Sequence, residues 1–366
     1  MKIGLLSYPL NNNYGCYLQA YALMTILQRM GHDVVYIHRR HNKPRLKSRI
    51  LFFIRTIKNN VRNGEWKNPF YRYEWLYMVK KGKQLLPFFE KNIPHTQAFY
   101  NSKELEKNCQ SFDAIIVGSD QVWRAGLLHN ITDYYFSFLK NPHTKRISYA
   151  ASFGKKEAGY TKQDIIKCGE LIQKFNAVSV REEVGMQLIK DFKWTCPPPQ
   201  VVLDPTLLLN KKDYLRLINP NREEKLIMCY ILDKSEEKNE VINNVSNELG
   251  LKTCCILDGS EKESFQYPPI EKWLEMFYNA RFVITDSFHG TVFSILFNIP
   301  FIVICNHNRG GDRIISLLSK FGLTDRLYNG ANPIAQINSP IKWEEVNIKL
   351  NIEKKHSLCF LSNALK

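Results

Sequence analysis

The run Thr285-Asp286-Ser287-Phe288-His289-Gly290-Thr291 places an imidazole where an apolar strand gives way to a helix. A helix start offers free backbone N–H groups and a partial positive charge, which suits phosphate or carboxylate. A histidine there titrates near neutral pH and can give or take a proton. Gly290 would let a ligand come close to the backbone. The same residues also read as an ordinary cap, with Asp286 or Ser287 closing the helix and His289 packing.

Other polar stretches follow apolar strands in the same way. Arg181 comes after Ala177-Val178-Ser179-Val180 and precedes Glu182 and Glu183. It can hold a carboxylate or phosphate through two parallel bonds, or pair with those acids. In Ser119-Asp120-Gln121-Val122-Trp123, Asp120 could orient a sugar hydroxyl or act as a base. Trp123 could stack on a sugar, or fill the core beside a turn. Ser152-Phe153-Gly154 ends a further strand, and Asn13-Tyr14-Gly15 could cradle an acidic group at the first helix start. In open α/β sheets ligands lie beyond the carboxyl ends of the strands, which is where all of these stretches fall. No GxGxxG pattern supports a dinucleotide, and no histidine or cysteine spacing supports a metal.

Charge adds a constraint on partners. The chain has 366 residues and a formal charge of +16, which calls for an acidic partner such as a phosphorylated small molecule, anionic lipid or nucleic acid. Residues 39–107 carry 17 Lys/Arg against 5 Asp/Glu, or 17 − 5 = +12 of that excess. Within them Arg49-Ile50-Leu51-Phe52-Phe53-Ile54-Arg55-Thr56-Ile57-Lys58 mixes cations with bulky apolar groups. This stretch reads as a helical insertion outside the sheet, either a solvated surface or a patch for anionic membrane. No nucleic-acid motif accompanies the charge, so nucleic acid is not expected as a partner. Nine scattered cysteines without a CxxC pair read as reduced thiols. The opening apolar run is too short for a signal peptide, and no stretch is long enough for a membrane span. A cytoplasmic protein is expected, at most peripheral on the inner face of the membrane.

The elements that must position these residues alternate. Strands are predicted at 2–7, 34–37, 113–118, 146–151, 177–180 and 201–203, then at 226–232, 253–257, 282–285 and 301–304. Helices are predicted from Leu18 to a Gly31 cap, and near 162–175, 236–249, 270–279, 289–297, 312–321 and 342–362. The Pro197-Pro198-Pro199 and Asp204-Pro205 breaks suggest a boundary near 196–212. The expected fold is α/β, with two Rossmann-like domains facing a cleft. The expected division is 1–205 with its insertion at about 39–107, then 206–340, then a C-terminal helix at 341–366.

Taken in order, several of these stretches resemble the polysaccharide pyruvyl transferase family. They are Asn13-Tyr14-Gly15 with Leu18-Gln19-Ala20-Tyr21-Ala22-Leu23, then Val117 to Trp123, Ser148 to Gly154, Val180-Arg181-Glu182, Leu203-Asp204-Pro205-Thr206 and Asp286 to Gly290. The resemblance runs from about residue 3 to 322. It implies a fold similar to the glycosyltransferase B type and a transferase in surface-polysaccharide (exopolysaccharide) synthesis. It also implies transfer of a pyruvyl group from phosphoenolpyruvate to two hydroxyls of a sugar, free or lipid-linked, as a ketal. Phosphoenolpyruvate would be the donor substrate, with no further cofactor.

Under the resemblance Arg181 and His289 match the family's functional arginine and histidine, and with the reading of the residues beside it His289 and Asp120 are the expected catalytic residues. Substrate binding is expected from Arg181, Asn13, Tyr14, Gly15, Ser119, Ser152, Asp286, Ser287, Phe288 and Gly290. A nucleotide-sugar-dependent glycosyltransferase of the same fold and a non-catalytic glycan-binding component are the alternatives.

Overall fold

Ile3, Leu5, Ile115 and Ile116 have no solvent exposure and lie on neighbouring strands. Strands apolar on both faces belong in the middle of a parallel sheet covered by helices. The computed structural model describes residues 1–40, 46–64, 80–219, 226–262, 264–306, 311–328, 330 and 333–366. Its first sheet joins β1 (Lys2–Leu6), β2 (Asp33–Tyr36), β3 (Ala114–Val117) and β4 (Lys145–Ser148) in the order β2-β1-β3-β4, all parallel. Single bridges from Ile147 to Ala177 and from Ala151 to Val180 extend it to the pair β5 (Ser179–Val180) and β6 (Gln200–Val201). Those last two strands are only two residues long, shorter than their apolar runs predict.

The second sheet is also parallel. It orders β7 (Leu226–Tyr230), β8 (Lys252–Cys255), β9 (Ala280–Thr285) and β10 (Phe301–Val303) as β10-β9-β7-β8. The chain thus forms two Rossmann-like lobes, the α/β architecture expected. Each sheet reverses its winding once, between β1 and β3 and between β7 and β9. Such switch points open a crevice at the carboxyl ends of the strands.

In chain order the helices are α1 (Tyr14–Arg29), α2 (Leu46–Asn63), α3 (Leu86–Asn92), α4 (Ser102–Asn108), α5 (Lys162–Ile172), α6 (Glu183–Asp191) and α7 (Lys211–Leu215). They continue with α8 (Glu236–Leu249), α9 (Ile270–Tyr278), α10 (Phe288–Phe297), α11 (Asp312–Phe321), α12 (Ile334–Asn338) and α13 (Trp343–Leu365). Asn13 caps α1 by accepting from the Gly15 N–H at 2.9 Å, and Gly31 leaves the helix at φ +88°. Helix α1 also joins the lobes: Tyr14 stacks on Trp273 at 5.3 Å and its hydroxyl donates to the Pro268 carbonyl at 3.0 Å. Helix α13 returns to the first lobe, where Ser357 Oγ accepts from the Leu203 N–H at 2.9 Å.

Of the basic stretch 39–107, residues 41–45 and 65–79 lie outside the described residues. The described part is helical in α2, α3 and α4, as its composition predicts. It also meets the sheet: His95 bridges Tyr36 and Phe99 bridges Arg39, adding an extended segment beside β2. Arg39 is buried at that edge and pairs with Asp133 at 3.1 Å.

Candidate functional site

The carboxyl end of β1 leads through Asn13 into α1, whose first turns carry Gly15, Cys16 and Gln19. Beyond β3 come Ser119 and Asp120, beyond β5 come Arg181 and Glu182, and beyond β6 comes Asp204. From the second lobe, β9 ends at Thr285 and α10 begins with Phe288 and His289, while α11 supplies Arg313. Side chains from six elements of both lobes converge there.

Asp204 is the hub. Its Oδ2 lies 2.9 Å from Arg181 Nη1 and 3.8 Å from His289 Nε2, and it accepts from Gln19 Nε2. Oδ1 accepts from the Thr206 hydroxyl and backbone N–H. Arg181 also approaches Asp120 Oδ1 and Glu182 Oε2, each at 3.5 Å, and its guanidinium lies 4.4 Å above the Phe288 ring. Arg313 flanks the same ring at 5.6 Å and comes within 3.7 Å of Asp120 Oδ1. The Cys16 thiol contacts Asp120 Oδ2 at 3.3 Å. All are nearly closed off: Asp204 keeps 2% exposure, His289 4%, Asp120 5%, Arg181 6% and Arg313 7%. A substrate can reach them only if the lobes or their side chains part.

This burial sets the protonation states. Burial lowers the His289 pKa, the carboxylates of Asp204 and Asp120 raise it, Arg181 and Arg313 lower it, and it ends below its ordinary value. The imidazole is therefore neutral at pH 7. Burial pushes the Asp204 carboxyl up, but His289, Arg181 and the Thr206 hydroxyl outweigh it and hold it below the carboxylate range. Burial likewise opposes Asp120, which Arg181 and Arg313 bring down. Burial and the neighbouring Arg181 pull Arg313 down to about 10, still charged at pH 7. Burial, with Asp120 beside it, drives the Cys16 thiol well up, so it remains protonated.

Two guanidinium groups thus face three carboxylates, Asp120, Glu182 and Asp204. The sequence leads one to expect an arginine and a helix start gathered around an anion. The structure adds enough acid to offset that positive charge. What stays open is hydrogen bonding: Arg181 Nε and Nη2, and His289 Nε2, are buried without a hydrogen-bond partner among the described residues. Arg181 Nε and Nη2 reach only the longer ion pairs to Glu182 and Asp120 at 3.5 Å, and His289 Nε2 only Asp204 at 3.8 Å, so oxyanion oxygens at hydrogen-bond distance would improve on what these buried nitrogens have.

The sequence-predicted residues divide into two groups. His289, Arg181, Asp120 and Phe288 meet, and Gly15 lies against them. A Cβ at Gly15 would stand 2.0 Å from His289 Nδ1, so this glycine makes room for the imidazole rather than for a ligand. Ser119 accepts from Gln19 and donates to the Ala150 carbonyl, while Ser152 donates to Glu182 at 2.7 Å. These two serines brace the site from behind.

The remaining residues are occupied elsewhere. Asn13 and Ser287 serve as helix caps. Tyr14 is in the core between the lobes. Asp286 does not cap α10. Its carboxylate accepts from Leu232 and Asp233 backbone N–H groups, Lys238 Nζ at 2.7 Å and Asn306 at 3.0 Å, fastening β9 to β7 and α8. The space at Gly290 is taken by Thr285, whose Oγ1 would lie 2.1 Å from an added Cβ, so no ligand approaches there. Trp123 is fully buried, stacks on Tyr135 at 5.0 Å and donates to the Tyr134 carbonyl, so it is core.

Sequence reasoning passed over Arg313, Cys16, Gln19 and Glu182 as site residues, and read Asp204 only as a break and part of a motif. No group of His, Cys, Asp and Glu that could hold a metal ion occurs among the described residues.

The family model described as polysaccharide pyruvyl transferase matches residues 13–308, most of the chain. A search of curated protein sequences finds no match. Among solved structures, the UDP-N-acetylglucosamine 2-epimerase of Rickettsia bellii is similar at 9% identity and TM-score 0.46, over 100% of this chain and 97% of that one. An alpha-glucosyltransferase in complex with UDP is similar at 9% identity and TM-score 0.47, over 99% and 95%. The UDP-GlcNAc 2-epimerase of Methanocaldococcus jannaschii is similar at 13% identity and TM-score 0.45, over 96% and 93%. At these levels none of the three assigns a substrate.

Proposed function

Since the chain belongs to the polysaccharide pyruvyl transferase family, we propose that it moves a pyruvyl group from phosphoenolpyruvate onto two hydroxyls of a sugar, forming a ketal. The acceptor is a surface polysaccharide or its lipid-linked precursor. The observation that carries this reading is the meeting of His289 with Arg181 on Asp204, with buried nitrogens on both side chains that make no hydrogen bond among the described residues. Nine free cysteines suit a reducing compartment, and the reaction is assigned to the cytoplasm. No helix among the described residues is long and apolar enough to cross a membrane.

Phosphoenolpyruvate carries a carboxylate and a phosphate. Arg181 Nε and Nη2 take the oxygens of one, and Arg313 faces the other. The arriving negative charge raises the pKa of His289, which then binds a proton. His289 gives that proton to the methylene carbon, and positive charge develops at C2. A sugar hydroxyl bonds to C2, and Asp120 receives its proton. A second hydroxyl then attacks C2, the C2–O bond to phosphate breaks, and the second proton leaves with the phosphate. Asp204 holds Arg181 in place and stabilises the imidazolium. Fixed charges of this kind contribute a few kcal/mol each, on the order of 3.

The test is phosphate release from phosphoenolpyruvate with a panel of sugar acceptors. His289→Ala is expected to slow it by more than about tenfold, roughly 1.4 kcal/mol. Turnover with a nucleotide sugar, and none with phosphoenolpyruvate, would overturn the reading in favour of glycosyl transfer.

A further inference from the structure

Helix α2 (Leu46–Asn63) is arranged inside out. Its buried positions include two polar residues, Thr56 at 8% exposure and Asn60 at 5%, whereas Ile50, Leu51, Ile54 and Val61 are exposed by 51%, 68%, 57% and 78%. At 3.6 residues per turn, Ile50, Ile54 and Val61 fall within one narrow arc, on the side away from Thr56 and Asn60. Leu51, Arg55, Lys58 and Arg62 fan out along one flank of that arc, all exposed. The helix also contains Lys47 and Arg49 and has no acidic residue.

A solvated surface helix places its charges outward and its branched aliphatics inward. This one puts both on the same side. An apolar ridge bordered by cations is the form of a helix that lies in a lipid–water interface, with its aliphatics among the acyl chains and its basic groups at the headgroups. The cations select the surface: lysine and arginine beside a membrane are drawn to anionic lipid and gain nothing comparable from a neutral one. Long basic side chains can reach up from such a helix to the phosphates while their stems cover apolar surface.

We propose that α2 is a peripheral membrane anchor that docks this protein on anionic bilayers through Ile50, Leu51, Ile54 and Val61, with Arg55, Lys58 and Arg62 at the headgroups. The inference does not depend on the pyruvyl-transfer reading, since it concerns a helix that supplies no residue to the site.

The test is co-sedimentation of the full chain with vesicles of phosphatidylcholine, alone or with about one third phosphatidylglycerol. Binding is expected only with phosphatidylglycerol, and it weakens as salt is raised. The fourfold change Ile50→Ser, Leu51→Ser, Ile54→Ser and Val61→Ser is expected to reduce it by about tenfold or more. Arg55→Gln, Lys58→Gln and Arg62→Gln together should do the same. Because the changed side chains are exposed, both variants should melt with the parent protein, which separates lost docking from lost folding.

Failure of the parent protein to bind the anionic vesicles would overturn the proposal. So would undiminished binding by the serine variant. Conversion of an oligomer to a monomer by the serine variant, with vesicle binding intact, would show instead that this face joins copies of the chain.

Discussion

Gly15 and the imidazole of His289 touch across the two lobes: a Cβ on residue 15 would lie 2.0 Å from Nδ1 and 2.2 Å from Cε1. The helix that opens the first lobe is thus cut away for a side chain from the second. Gly15→Ala must push the imidazole off Asp204 or push the lobes apart. Overpacking of this kind costs about 1–3 kcal/mol, and a misplaced catalytic group costs about a hundredfold in rate. The expected outcome is a fall in phosphate release well beyond the change in melting temperature. Gly126→Ala is the control, since a Cβ there meets nothing nearer than Gly159 Cα at 3.9 Å. Equal rates for the two variants would remove His289 from the chemistry.

The His289 pKa is lowered in the folded chain, mainly by burial. In the unfolded chain it returns to about 6.5. Between those values the unfolded state binds the proton more readily, so stability falls as pH drops below about 6.5. Asp204 and Asp120 are held low, so their contributions persist until the pH falls below about 4 and do not overlap this window. Urea midpoints at pH 7.5, 6.5 and 5.5 should show a decline in the parent protein that His289→Gln makes shallower, while His38, brought down to about 3 mainly by burial, and His32, lowered by burial too, keep the rest of it. Parallel declines in both would mean that the imidazole titrates freely.

Arg181 is a countercharge shared by Asp204, Glu182 and Asp120. Removing one partner from a buried ion cluster costs about 3–5 kcal/mol, because the others keep their charge. Arg181→Met should therefore lower the urea midpoint sharply. Arg181→Met with Asp204→Asn should recover part of the loss, since one of the stranded charges is gone. Strict additivity of the two changes would show that the 2.9 Å pair is not coupled.

Much of this arrangement is legible in the sequence, and the gaps have physical reasons. Helices 236–249 and 312–321 have the bounds read from the chain, because Gly250 and Gly322 end them in the left-handed region. Arg181 can be found because it directly follows an apolar strand, and His289 because it stands in the first turn of the helix that begins just after one. Arg313 cannot, since it lies on α11 and reaches the site only through the packing of that helix against α10. Asp286 misleads for the opposite reason: its place after a strand resembles a site, yet its carboxylate is used up by four donors from the turn after β7, α8 and Asn306. Asp204 sits in a short motif that reads as a turn, and only the folded chain brings the acid beneath Arg181.

The charge at the site leads to a last expectation. Two arginines already face three carboxylates, so a ligand with both a carboxylate and a phosphate enters a region with no surplus positive charge. One way to accommodate it is to bind a proton on His289, which is neutral in the free protein and lies 3.8 Å from Asp204. Phosphoenolpyruvate binding at pH 7.5 should therefore take up a proton, and it should tighten as pH falls towards about 6. Calorimetry in buffers of different ionisation enthalpy measures that uptake directly. His289→Gln should abolish the uptake and weaken binding at low pH more than at high pH. Binding without proton uptake in the parent protein would mean that the donor's charge is met by the arginines alone, and that His289 receives its proton at a later step.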